Sequence, residues 1–186
     1  MNSSNIQQIS PEHPQTNVPM ATLAIMLSTA VVIMDINIAG IALPAMQGSL
    51  SANQDQISWV MTTYFMAQGV TMAATGWLAG RFGRKQLYVG ALIGFAFCSV
   101  MAGNSSTLEE IIIWRGLQGM FSAPVVPISQ ALILDLYPRE RHSFALALWG
   151  SGVMVAPVLG PVLGGIITEE YSWRWVFYLS LPFAML

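Results

Sequence analysis

Charge is what this sequence has least of. Of its 186 residues, 9% are Asp, Glu, Lys or Arg, while 54% are hydrophobic. Soluble globular domains carry about 25% charged residues, so a compact soluble fold of this length would lack polar groups for its surface. Something apolar must cover it. Seven Lys and Arg against nine Asp and Glu leave a net charge of -2, and no basic run tracks a phosphate backbone, which argues against nucleic-acid binding. The single cysteine, Cys98, lies in an apolar run, which excludes an intramolecular disulfide and a Cys-based metal site. The two histidines, His13 and His142, stand far apart in polar segments without His-x-x-x-His or His/Glu spacing, and read as solvated. With no nucleophile-base pair, metal cluster or phosphate loop, an enzyme is the least supported class.

What is present comes in long apolar blocks. A helix crossing about 30 Å of hydrocarbon needs about 20 mostly apolar residues. Five stretches qualify: 20–43, 57–79, 87–103, 111–134 and 144–168. A sixth begins near Trp175 and runs into the end of the chain at Leu186, which predicts a fragment of a longer protein. The expectation is an all-α integral membrane bundle of five complete spans plus the start of a sixth. Residues 1–19, rich in Asn, Ser, Gln and Pro, read as a disordered tail, and 20–186 as one transmembrane domain truncated in its sixth helix. A signal peptide fits poorly, because no Lys or Arg precedes the first apolar stretch, which is too long for an h-region.

Loop charges set the orientation. Arg81, Arg84 and Lys85 follow the second span, and Arg139 and Arg141 the fourth. The opposite loops carry Asp55, Glu109, Glu110, Glu169 and Glu170, with Arg174 their only basic residue. The positive-inside rule makes the basic loops cytoplasmic and places the N-terminus inside.

Apolar side chains gain nothing by leaving lipid for protein, so spans pack through small residues. The fifth span has Gly152, Ala156, Gly160 and Gly164 at successive i+4 positions, a groove on one helix face, with Pro157 and Pro161 in the same stretch. Each proline removes a backbone hydrogen bond and bends the helix. Plain helix packing and a bend where the protein changes shape both remain open. The second span has a shorter stripe of Gly69, Ala73, Gly76 and Gly80.

Two ionisable residues lie inside spans, Asp35 in the first and Arg115 in the fourth. Each costs about 2.5 to 3.5 kcal/mol at a helix centre, so such residues usually face the protein interior and pair. Asp35 is about eight residues before the outer end of its span and Arg115 about five after the outer end of its own, so both lie roughly 10 Å deep. They are placed to meet. Gln118 and Ser122 share the Arg115 face, while Tyr64, Gln68, Thr71 and Thr75 make a polar stripe along the second span. A structural ion pair is one reading; a water-filled path with Tyr64, Gln68, Thr71, Gln118 and Ser122 lining it is the other. Burial favours the neutral acid and a nearby guanidinium favours the carboxylate. A change of shape could therefore make Asp35 bind a proton on one side and release it on the other.

Five segments carry a family resemblance. The run from Met34 to Pro44 (Met-Asp-Ile-Asn-Ile-Ala-Gly-Ile-Ala-Leu-Pro) resembles the first-helix acid segment of the major facilitator superfamily's fourteen-span drug:proton antiporters, the family of the EmrB-type multidrug exporters. The run from Gly76 to Lys85, with Arg81, Gly83 and Arg84, resembles the superfamily's cytoplasmic loop motif, with Gly80 where Asp is usual. Arg115-Gly116-Leu117-Gln118-Gly119 is similar to the motif linked to proton coupling, and Ala156 to Gly165 to the antiporter motif ending Gly-Pro-x-x-Gly-Gly. Trp173 to Tyr178, then Pro182, resemble the opening of the sixth helix, with Ser180 where Asn is common.

The resemblance implies an N-terminal helical domain built of three-helix repeats, whose first members line the cavity. It implies proton-coupled multidrug export by alternating access, with Asp35 exchanging protons, Arg115 tuning it, and Gly152, Pro157, Gly160, Pro161, Gly164 and Gly165 letting the domain rock. Asp135 would pair with Arg81 or Arg84, against the alternative of inconsequential surface charge. It further implies hydrophobic or cationic substrates, a bacterial inner membrane, no cofactor beyond the proton gradient, and, in double-membraned bacteria, a periplasmic membrane fusion protein with an outer-membrane channel. A facilitator on the same fold, or a transport-inert scaffold, are the alternatives.

Overall fold

The computed structural model describes residues 17–179 and 181. Residues 1–16 of the expected tail, His13 among them, and Ser180 and Pro182 of the sixth-span motif lie outside the described residues. Among the described residues there is no strand. The helices are α1 (Val18–Ser49), α2 (Gln54–Phe82), α3 (Arg84–Asn104), α4 (Leu108–Ser122), α5 (Val125–Leu136), α6 (His142–Val153), α7 (Val155–Glu170) and α8 (Arg174–Tyr178), with a 3-10 turn at Arg139–Arg141.

Local chemistry sets most of the boundaries. Pro19 stands in the first turn of α1, where its missing N–H is not needed, so the helix begins inside the stretch expected to be tail. Asn53 and Gln56 cap each other reciprocally at the start of α2, and Thr107 and Glu110 do so for α4, each box satisfying otherwise orphaned backbone donors. Gly83 separates α2 from α3 at φ +84°, a conformation that costs glycine little.

The fourth and fifth spans run through as expected, over Leu108–Leu136 and Arg139–Glu170, each with one turn where the hydrogen-bond ladder is locally irregular. A turn at Ala123–Pro124 divides α4 from α5, and a turn at Met154 divides α6 from α7. Proline has no N–H for the carbonyl four residues back, which releases Met120 at the first turn and Val153, through Pro157, at the second. Pro161 does not interrupt α7, and Pro44 does not interrupt α1, which continues to Ser49 instead of stopping at residue 43.

Val18–Ser49, Arg84–Asn104, Leu108–Leu136 and Arg139–Glu170 are long and apolar enough to cross a membrane. α2, expected as a further complete span, has the length, 29 residues, but not the same apolarity, because its polar stripe dilutes it. Large apolar side chains point outward along the bundle, Val70, Met154 and Val158 among them, each at least 70% exposed, as a lipid or protein neighbour requires.

Three helix pairings position the site: α2 on α4, α1 on α7, and α3 on α4. The core joins Met34, Ile38, Ala42 and Met46 of α1 to Ile57 and Val60 of α2, Ile111 of α4 and Phe177 of α8. Arg84 Nη1 donates to both carboxylate oxygens of Asp135, at 2.9 and 2.8 Å, so the turn after α2 lies against the end of α5 and the two basic loops share one end of the bundle. At the other end Arg174 Nη1 donates to the carbonyls of Gly103 and Ser105, at 3.1 and 2.6 Å, and the Tyr178 hydroxyl bonds Asn104. His142, read as solvated, is half-buried, with its ring Nε2 3.1 Å from the Tyr137 carbonyl oxygen.

Candidate functional site

Asp35 comes from the middle of α1 and Arg115 from the second turn of α4, and their side chains meet. Arg115 Nη1 donates to Asp35 Oδ2 at 2.7 Å, and neither side chain has any exposed area. Ion pairs shut away from water need further hydrogen bonds to offset desolvation, and Gln118 supplies them. Its Oε1 accepts from Arg115 Nη1 at 2.8 Å, and its Nε2 donates to Asp35 Oδ1 at 3.3 Å. Being three residues after Arg115 on a helix puts Gln118 on the same face.

The guanidinium is enclosed by soft, polarizable groups. Its Cζ lies 4.3 Å from the centre of the Tyr64 ring and 5.7 Å from that of Phe177, an arrangement that attracts a cation to the aromatic faces. Arg115 Nη2 points to the Met61 sulfur at 3.5 Å. Arg115 Nε and the Tyr64 hydroxyl are both buried without a hydrogen-bond partner of good geometry. Beyond them Gln68 Nε2 donates to Ser122 Oγ at 3.2 Å, and Ser122 donates to the Gly119 carbonyl at 2.8 Å.

Asp35, Arg115, Tyr64, Gln68, Gln118 and Ser122 thus form one cluster. Of the residues expected to line a water-filled path, Tyr64, Gln118 and Ser122 are at most 1% exposed, shut off from bulk solvent in this conformation. Close helix approach is the reason. A Cβ at Gly119 would run into the Tyr64 carbonyl, so α4 presses directly on α2 at this point. Thr71 stands outside the cluster, lining an apolar cleft of about 470 Å³ with Phe82, Leu87, Phe121 and Pro124. Thr75, one turn further, is buried at the wall of a cleft of about 640 Å³ at the basic-loop end, with Gly76, Arg84 and Gln130.

The groove of the fifth span has a partner in α1. A Cβ on Gly160 would come within 3.0 Å of Asn37 Cβ, and one on Gly164 within 3.1 Å of Ile38 Cγ2, while Gly152 faces Met26. This packs the groove against the stretch of α1 that carries Asp35. Gly165 has nothing within 4 Å, nor do Gly69, Gly76 and Gly80 of α2, so the shorter stripe is not a packing face here. Of the loop-motif residues, Arg84 holds Asp135, while Arg81 lies over the Trp77 ring at 5.7 Å.

Sequence reasoning missed Met61 and Phe177, which contact the guanidinium, and the packing role of Gly94, which lies against the Phe121 ring. Phe177 stands in the quoted sixth-helix segment. For Met61 the only signal is its place one turn before Tyr64.

The sequence profile of the Major Facilitator Superfamily matches residues 25–186. The chain is 40% identical over 161 residues to the multidrug export protein EmrB of Escherichia coli strain K12, covering 87% of this chain and 31% of that protein. It is 38% identical over 165 residues to the fatty acid resistance protein FarB of Neisseria gonorrhoeae, covering 89% and 32%. The chain therefore spans about a third of the length of these relatives. Among solved structures, a D-xylose-proton symporter superposes with a TM-score of 0.79 at 15% identity, over 91% of this chain and 46% of the other. A peptide transporter, POT, does so with a TM-score of 0.79 at 14% identity, over 89% and 35%.

Proposed function

We propose, from the premise that this chain belongs to the Major Facilitator Superfamily, that it is the N-terminal helical part of a proton-coupled multidrug exporter. The observation that carries the reading is the fully buried Asp35–Arg115 pair with Gln118 bridging it. A purely structural pair could be replaced by apolar side chains at little cost, whereas an acid that must exchange a proton has to be retained. Relatives named as multidrug export proteins support the same reading.

In alternating access, Asp35 gives up a proton to one compartment and takes one from the other. Arg115 holds the carboxylate when it is charged and loosens when it is neutral, so protonation weakens the contact between α1 and α4. The packing of α1 on the α7 groove transmits that loosening, and the turn at Met154 lets α7 tilt against α6. Energy comes from the proton gradient, with no bound cofactor. Substrates are hydrophobic or cationic compounds, and the site of action is a bacterial inner membrane with the N-terminus and the basic loops in the cytoplasm. In a double-membraned cell a periplasmic fusion protein and an outer-membrane channel would complete the route.

The test is drug accumulation in cells carrying the intact gene, comparing wild type and Asp35→Asn with the proton gradient intact and collapsed. Wild type should keep accumulation low only while the gradient stands, and Asp35→Asn should behave as if it were collapsed. Export by Asp35→Asn that still follows the gradient would leave a carrier whose coupling lies elsewhere. Equal accumulation under all conditions would remove export altogether.

A further inference from the structure

The bundle holds a second polar feature that the ion pair does not use. Tyr64 is completely buried, and its hydroxyl has no partner of good geometry among the described residues. An unpartnered buried hydroxyl is destabilising, and phenylalanine would fill the same space without that cost. The ring alone explains the cation contact, so the oxygen needs a separate reason.

Its surroundings supply one. The charged groups facing it are Asp35 from α1 and Arg115 from α4, and Ser122 lies beside it. Arg115 Nε, also unpartnered, belongs to the same cluster. On the other side Gln68 donates to Ser122. Tyr64, Gln68, Thr71 and Thr75 follow at i, i+4, i+7 and i+11, one face of α2, spanning about 16 Å at 1.5 Å per residue. Thr75 ends this lane at the wall of the cleft that holds Arg84 and Gln130 at the basic-loop end.

We infer that the Tyr64 hydroxyl is a relay for the proton of Asp35, seating water between the buried carboxyl and the Thr75 cleft. The inference rests on the proton exchange of Asp35 proposed above. In the step, the O–H bond of the Asp35 carboxyl breaks and its proton passes to a water against Tyr64. The phenol oxygen accepts a proton from that water while releasing its own to a second water, seated by Gln68 and Ser122. Tyr64 ends neutral, Asp35 ends as the carboxylate, and the excess proton moves on towards Thr75. Tyr64 is a positioning residue, since the proton's source is Asp35.

The test follows Asp35 itself in the purified, full-length protein. After a pH jump, the carboxyl C=O infrared band absent from Asp35→Asn reports the rate at which Asp35 gains or loses its proton. Tyr64→Phe keeps the ring under Arg115 and should slow this rate about tenfold or more, the scale of a positioned proton-transfer group, with no loss of thermal stability. Gln68→Leu should slow it in the same direction. An unchanged rate in Tyr64→Phe overturns the relay, as does slowing matched by an equal loss of folded protein. Absence of the band in wild type overturns both the relay and the proton role of Asp35. A slowed band in Tyr64→Phe together with gradient-independent export leaves the relay standing and removes only the exporter reading.

Discussion

Gly119 of α4 lies directly against the backbone carbonyl of Tyr64 in α2, with no room between them for a Cβ. This contact brings the two helices close enough for the Tyr64 ring to reach under Arg115. Overpacking of a close contact costs roughly 1–3 kcal/mol, so Gly119→Ala should lower the thermal unfolding temperature of the detergent-solubilised protein. Gly69→Ala, at an α2 position with nothing within 4 Å, should leave it unchanged.

Much of this site is legible in the sequence, for a physical reason. Ionisable side chains are expensive in an apolar span, so Asp35 and Arg115 announce themselves and each points to the other as partner. α1 continues past Pro44 to Ser49, leaving Asp35 deeper in its helix than a span ending at residue 43 implies, and the long arginine side chain covers the difference. The groove on α7 was also legible, because its small residues recur every four positions. Its occupant was not, since periodicity on one helix says nothing of which neighbour fills it. The stripe on α2 shows the same limit from the other side, having the spacing and no neighbour. Met61 could not be found at all: an apolar residue in an apolar span carries no mark of what it touches. The hydrogen bonds lost to Pro124 and Pro157 leave the backbone helical, which depends on packing the sequence does not display.

The buried pair makes a sharper stability prediction than either residue alone. Removing one partner leaves an uncompensated charge and costs about 3–5 kcal/mol, whereas replacing both by apolar groups is often close to neutral. Arg115→Leu should therefore reduce the folded fraction strongly, and adding Asp35→Leu should restore most of it. Denaturation of the two single variants and the double variant measures this; simple addition of the two losses would show that the residues are not energetically coupled.

Arg84 and Asp135 differ from that pair in exposure. Their side chains are 54% and 55% exposed, so their contact contributes about 0–1 kcal/mol and weakens with salt. Asp135→Asn should scarcely move thermal stability. If the contact holds the basic-loop end closed during transport, Asp135→Arg should slow export by the full-length protein, and the swapped pair Arg84→Asp with Asp135→Arg should recover part of the rate. Failure of the swap to recover any rate would assign the contact to surface charge alone.

The α7 groove gives the most discriminating comparison, because two adjacent glycines of the same motif face different surroundings. Gly164 lies against Ile38 of α1, where a Cβ would come within 3.1 Å of Cγ2 and 3.3 Å of Cα, while Gly165 has open space. Ile38 is three residues from Asp35, so displacing α1 there also displaces the carboxylate from Arg115. Gly164→Val should reduce export and destabilise the protein by roughly 1–3 kcal/mol through overpacking, whereas Gly165→Ala should change neither. Measured in the same accumulation and unfolding assays, a loss at Gly165 equal to that at Gly164 would mean that the motif acts through helix flexibility, since both substitutions remove a glycine but only one meets a neighbour.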